Sequence, residues 1–519
     1  MKGLWDNIGL IVGVLYLILQ ILPYLKKKRD EAAEYAASEP FDADSGQTQQ
    51  ATINPPQAAE APSFDDEVFG LEARVNGLAQ SLGNRPGPAA VLGKVIESRI
   101  RPQLIGAREL LRLAVDDPGL LYDAHQTLED IGLRIAVIET MAKWRSDPKL
   151  GGFLADADAI AHALLVPLTE HAQAGAIEFP TQRPLCVPAD PEGEAIWIGL
   201  LEDYPLIFVP DDFGDDLYRW PSIAHEIGHL IWHRVPGYGA EVMKKLDLEG
   251  STRLAIQGRS FDVKPAYRAW IQELVADAFA LLILGPAGLR GLIHSFRNPT
   301  QPRATRVAAI YRDGTFEEHP PAELRVLLGA ALLTEIGFDV EAKVLVAEWT
   351  REHASTEGIL VPLPQSRAVI SVPTEVWLEV GRPIMLEWYA LSYSSLGGHE
   401  IRSVHGVEMT PGMWKKVSQR AADLVSGTSF NDDPKIVVAA AIEARARSPG
   451  AKLRLERAVR EAILGLDAKE KRVADRNYAR TGRTTQSQLL RDAIVLRELL
   501  SRPRAQVGQR ARRGRASAL

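Results

Sequence analysis

Apolar positions through residues 89–174 recur at three- and four-residue steps, the spacing of helices with one buried face. The pattern breaks at Asp117-Pro118-Gly119 and again at Asp147-Pro148. A shorter helix is predicted over 68–82, closed by Asn84-Arg85-Pro86-Gly87-Pro88. Two runs of another kind follow. Residues 195–201 (AIWIGLL) and 206–209 (LIFV) are short, apolar and flanked by turn residues, so both read as strands. Residues 211–216 form a loop, and Trp220-Pro221-Ser222 opens a helix with proline in its first turn. Another helix is predicted over 267–284, stopped by Gly285-Pro286. Residues 340–500 are mainly helical apart from a Val/Ile-rich stretch at 368–372. Together these patterns predict an α+β chain, predominantly α, with a small sheet.

The first apolar run is different. Residues 8–25 (IGLIVGVLYLILQILPYL) carry no charge, and at about 1.5 Å per residue they span roughly 27 Å, close to the hydrocarbon thickness of a bilayer. Trp5 and Tyr24 stand where interfacial aromatics belong, and Lys26, Lys27, Lys28 and Arg29 follow at once. A cleaved signal peptide has its positive charge before the apolar run and small residues after it; here the order is reversed. Residues 1–29 are therefore expected to be a single membrane anchor with the bulk of the chain on the cytoplasmic side, and the sequence suggests no second span.

Composition changes this picture only at the ends. The chain has 519 residues, 46% hydrophobic and 24% charged, with a net charge of −7, which is ordinary for a globular protein. Residues 30–66 are acidic, then rich in Gln, Ala and Pro, a composition expected to form a flexible tether. Residues 451–519 hold 18 Lys and Arg against 7 acids, and 502–519 hold six Arg and no acid. No aromatics interleave with that last run, so no specific nucleic-acid partner is expected; a solvated tail is. The single cysteine, Cys186, excludes a disulfide scaffold and any Cys-rich zinc or iron–sulfur site. The expected units are an anchor (1–29), a tether (30–66), a main domain with a helical lead-in (67–340), a mainly helical region (341–501) and a tail (502–519).

With cysteine excluded, a metal must be held by His and carboxylates. His225-Glu226-Ile227-Gly228-His229 places two imidazoles on one face of a helix, four residues apart. Both can reach one cation, and Glu226, offset around the helix, can reach a water beside it. A catalytic zinc needs a third protein donor and an open position. His233 lies two turns past His225, too far along the helix to join the pair, and Val235 occupies the position six beyond His229 where an extended motif would place a third histidine. Glu273 and Asp277, four apart on the second helix, fit better. Glu273 can bind the cation, and Asp277 can accept the outer N–H of a ligating histidine and fix its tautomer.

Taken together, His225-Glu226-x-x-His229 and Glu273-x-x-x-Asp277 resemble the gluzincin metallopeptidases. Glu318-His319-Pro320-Pro321-Ala322-Glu323-Leu324-Arg325 is similar to the His-Pro…Arg segment of the branch related to CaaX-prenyl and heat-shock membrane proteases. The same zinc motifs also resemble ImmA/IrrE-type regulatory proteases. The resemblance covers residues 195–330 and implies a zincin-like core. It implies Zn²⁺ on His225, His229 and Glu273, with Glu226 as general base. His319 would be the donor to the oxyanion, Tyr238 a weaker candidate, and Arg325 a support of the Asp/Glu network. It further implies peptide-bond hydrolysis of a polypeptide substrate by a membrane-tethered endopeptidase. The alternative from another class is a membrane-anchored scaffold in which the zincin fold is catalytically silent.

Overall fold

The computed structural model describes residues 64–462 apart from short internal segments, the longest being 189–204. The anchor expected at 1–29, the tether, the strand expected at 195–201 and the Arg-rich tail all lie outside the described residues. What is described is predominantly helical with small strand pairs, the α+β composition the periodicity predicts.

Two hydrophobic cores divide the helices. The first is built by α1 (Phe64–Gly83), α2 (Pro88–Val95), α3 (Arg101–Leu113) and α4 (Pro118–Ser146), with a π-helical turn, Ile96–Ile100, joining α2 to α3. Val75, Leu92, Ile96, Leu128 and Ile138 are among its buried residues. The breaks expected at Pro118 and Pro148 are where α4 begins and where it gives way to α5 (Leu150–Ala174), because proline cannot donate to a preceding turn. β1 (Leu185–Pro188) and β2 (Leu206–Val209) then pair in parallel, Leu185 opposite Leu206. Their side chains alternate between the cores. Leu185, Val187 and Phe208 enter the first, while Cys186, Ile207 and Val209 enter the second. A parallel ribbon covered on both faces is the expected setting for such uniformly apolar strands.

The second core is larger and runs from α5 to residue 459, so it joins segments on both sides of the boundary expected at 340. It gathers α6 (Pro221–Arg234), α7 (Tyr238–Lys245), the hairpin of β3 (Arg253–Ile256) with β4 (Arg259–Asp262), α8 (Lys264–Leu284), α9 (Pro286–Ser295), α10 (Ala322–Glu335) and α11 (Asp339–His353). After β5 (Ile359–Leu363) and β6 (Ala368–Val372), which pair antiparallel, come α12 (Thr374–Ala390), α13 (Pro411–Ser426) and α14 (Pro434–Arg447). α8 is the centre. From Trp270 to Leu284 it is buried on every face except at Gln272, and its end is fixed by Gly285, whose φ of 60° and ψ of −140° suit glycine alone.

Among the described helices, residues 150–172 of α5 are also long and apolar enough to cross a membrane, a second run that the sequence reading does not anticipate. Fifty-six per cent of its most apolar 18-residue window is buried inside the fold. α5 packs on β1, α6 and α14, and it carries the buried Asp158, which bonds the Cys186 backbone N–H at 2.6 Å and Arg145 at 3.2 Å. Those contacts account for its apolarity as that of a core helix.

Candidate metal centre

α6 starts where Pro221 removes a backbone donor that a first turn leaves unused. Ile223, Ala224, Ile227, Gly228 and Ile231 form its buried face, leaving His225, Glu226 and His229 half-buried beside it. That face lies on α8, and the approach is close: a Cβ placed on Gly228 would stand 2.5 Å from Ala276 Cα. Gly228 is thus the residue that lets the two backbones meet. Gly228→Leu is expected to force the helices apart, lowering stability by about 1–3 kcal/mol or more through overpacking and weakening metal binding with it. Thermal melts and metal content check this, and an unchanged melting temperature would contradict it.

Contacts across the seam follow one register. His225 meets Asp277, Gly228 meets Ala276, and His229 meets Glu273 and Gln272. Ascending numbers on α6 match descending numbers on α8, so the helices run antiparallel here. A four-residue step on each aligns two rungs of side chains.

Three candidate donors converge across the two rungs. His225 Nε2 and His229 Nε2 are 3.0 Å apart. Glu273 places one oxygen 3.1 Å from His229 Nε2 and the other 3.6 Å from His225 Nε2. A tetrahedral zinc site with bonds near 2.0–2.1 Å has edges of about 3.3 Å, so the spacing fits one small four-coordinate cation. Glu226 is also near, with its carboxylate and the two imidazoles presenting donor atoms within 4.8 Å of one another. Of the two acids, Glu273 has the donor geometry: both oxygens engage the imidazoles and it is only 8% exposed. Glu226 is more open than Glu273.

Behind the donors lies a second layer of charge. Asp277, 3% exposed, accepts from His225 Nδ1 at 2.9 Å. Arg325 grips Asp277 with a two-pronged contact, Nε and Nη2 each donating at 2.7 Å, and its Nη2 also reaches Glu273 at 3.2 Å. The guanidinium stacks over the Phe296 ring at 4.7 Å. Burial pushes the carboxyls of Asp277 and Glu273 up, but their partners outweigh it. Arg325 and the His225 contact hold Asp277 below its ordinary value, and the His229 hydrogen bond with the charges of His225 and Arg325 holds Glu273 well below its own. Burial pushes the His229 imidazole down, yet the Glu273 bond and the fields of Glu226, Glu273 and Asp277 raise it overall. Because Asp277 is ionised and can only accept, His225 carries its proton on Nδ1 and turns the Nε2 lone pair toward the other donors.

The remaining candidates fall in different places. His319 stands on the loop before α10, its side chain 59% exposed and its Nε2 3.8 Å from Glu273. Trp270 holds that loop over α8 by donating to the Glu317 carbonyl at 3.0 Å. Arg325 is buried behind the acids rather than lining the open side. Tyr238 is not a candidate donor: it is fully buried, packs edge-on against Trp232 and Tyr393, and its hydroxyl accepts from Trp388. His233 lies away from the three donors but contacts Gln272. The role of Gln272 leaves no mark in the sequence, because a glutamine beside a motif glutamate looks like any polar helix position. Compared with protein-family models, with curated proteins and with solved structures, the chain matches none, so the geometry carries the functional argument.

Proposed function

We propose that this chain is a zinc-dependent endopeptidase, tethered to a membrane by its N-terminal apolar run with the catalytic region on the cytoplasmic side. The observation that supports it is the convergence of His225, His229 and Glu273 from two helices to mutual distances of 3.0–3.6 Å. Those three residues would hold zinc, and zinc supplies Lewis acidity, polarising a carbonyl oxygen and lowering the pKa of water in contact with it.

The rest is the work of the chain's own groups. Glu226 takes a proton from the attacking water as oxygen adds to the scissile carbonyl carbon, then delivers it to the departing amine nitrogen as the C–N bond breaks. His319 donates an N–H to the developing oxyanion from the solvent side. Asp277 and Arg325 keep His225 and Glu273 oriented while the substrate, an extended polypeptide, comes and goes.

The test is direct. The full-length chain purified in detergent is expected to carry one zinc and to cleave an unfolded protein such as casein. A chelator should abolish the cleavage and added zinc restore it. A metal-free chain with no hydrolysis of any polypeptide would end this reading.

A further inference from the structure

Gln272 precedes Glu273 on α8, half-buried, with its amide between two histidines of α6. Its nitrogen lies 3.2 Å from His229 Nδ1 and 3.0 Å from His233 Nε2. The opposite edge of the His229 ring faces the metal donors, with Nε2 at 3.1 Å from Glu273 and 3.0 Å from His225.

A neutral imidazole has a single N–H, so what meets its two nitrogens decides where the proton sits. With the Gln272 –NH₂ toward Nδ1, that nitrogen accepts. The ring proton then stands on Nε2 and points at Glu273. A ring in that tautomer cannot ligate through Nε2. Ligation needs the Nε2 lone pair and a proton on Nδ1, and that Nδ1–H needs an acceptor. A half-turn of the Gln272 amide supplies one. It exchanges nitrogen and oxygen with almost no change of shape, and the oxygen's two lone pairs can serve His229 Nδ1–H and His233 Nε2–H together. His225 has no such choice, since its Nδ1 faces Asp277, held by Arg325 as a permanent acceptor.

We propose that Gln272 is a positioning residue that sets the tautomer of His229, turning its amide oxygen to Nδ1 when the cation is held and its nitrogen when it is not. The inference rests on the zinc reading of this same site. It makes the two histidines unequal: one is fixed as a ligand by a charged acceptor, the other is switched by a neutral group that satisfies either state.

The experiment measures zinc affinity of the full-length chain by competition with a chromophoric chelator at one pH. Gln272→Met keeps the length and removes both hydrogen-bonding atoms; its zinc dissociation constant is expected to rise about 10- to 100-fold. Gln272→Glu, whose oxygens only accept, is expected to return affinity to within about threefold of the wild type or better. A packing role would not separate the two variants in that direction. The second readout is the ¹⁵N spectrum of the imidazoles in zinc-free protein at a pH where the ring is neutral, which should place the His229 proton on Nε2 in the wild type and on Nδ1 in Gln272→Glu; this decides the matter even if Gln272→Met does not fold. Equal affinity in all three chains, or one and the same His229 tautomer in zinc-free wild type and zinc-free Gln272→Glu, overturns the proposal and leaves the metal centre standing. A wild-type chain that takes up no zinc instead sinks the metal reading, and it does so before any variant is compared.

Discussion

Glu226→Gln is expected to keep its full zinc complement while turnover falls by about 10²- to 10⁴-fold, the range for removing a general base. The substitution preserves length and volume. The short contacts that define the donor set run among His225, His229 and Glu273, so the set survives. What disappears is a group able to accept a proton: an amide oxygen beside the same rings is far too weak a base. Zinc analysis and steady-state cleavage of one polypeptide substrate, run on the same preparation, separate the two effects. Turnover within tenfold of the wild type would remove Glu226 as the base, and loss of zinc would make it a ligand.

Arg325→Met should be the most damaging change to stability around the site. Asp277 and Glu273 are both buried carboxylates, and Arg325 is the cation that meets the two of them. Methionine keeps apolar contact with Phe296 but leaves those charges facing each other. Breaking a buried pair by deleting one partner costs about 3–5 kcal/mol, a large share of the 5–15 kcal/mol that typically separates folded from unfolded chains. The metal-free variant should therefore melt on the order of 5–10 °C lower. Zinc, itself positive and bound only by the folded state, should recover part of the loss. Melting curves with and without zinc test both halves. A shift of under a degree or two would show that the acids tolerate burial without the guanidinium.

The sequence shows which candidate side chains share a helix face, and only part of what surrounds them. Two pairs of residues four apart, His225 with His229 and Glu273 with Asp277, state plainly that each pair shares a helix face, because helical geometry is local. The register between the helices is not local; it appears only once His225 meets Asp277, Gly228 meets Ala276 and His229 meets Glu273. Gln272 and Trp270 are hidden for the same reason: their roles depend on what another element brings to them. Tyr238 shows the converse error, since a hydroxyl near a motif in sequence was folded into the aromatic core. α5 reads in the sequence as a globular helix although its composition also passes for a membrane span, because apolar composition alone does not distinguish a helix covered by protein from one covered by lipid. Helices on both sides of residue 340 share one core, because α12 and α14 pack back onto α8.

The antiparallel seam between α6 and α8 also governs which changes in chain length the protein can absorb. Extra residues in the excursion between them, around the β3–β4 hairpin, lengthen a closed loop, and doubling a flexible loop costs only about 0.6 kcal/mol. Deleting one residue inside either helix is another matter: everything beyond the cut turns by about 100° around the axis, and the rungs no longer face each other. Insertions at the β3–β4 hairpin should therefore be tolerated, while a one-residue deletion within either helix should abolish the paired rungs.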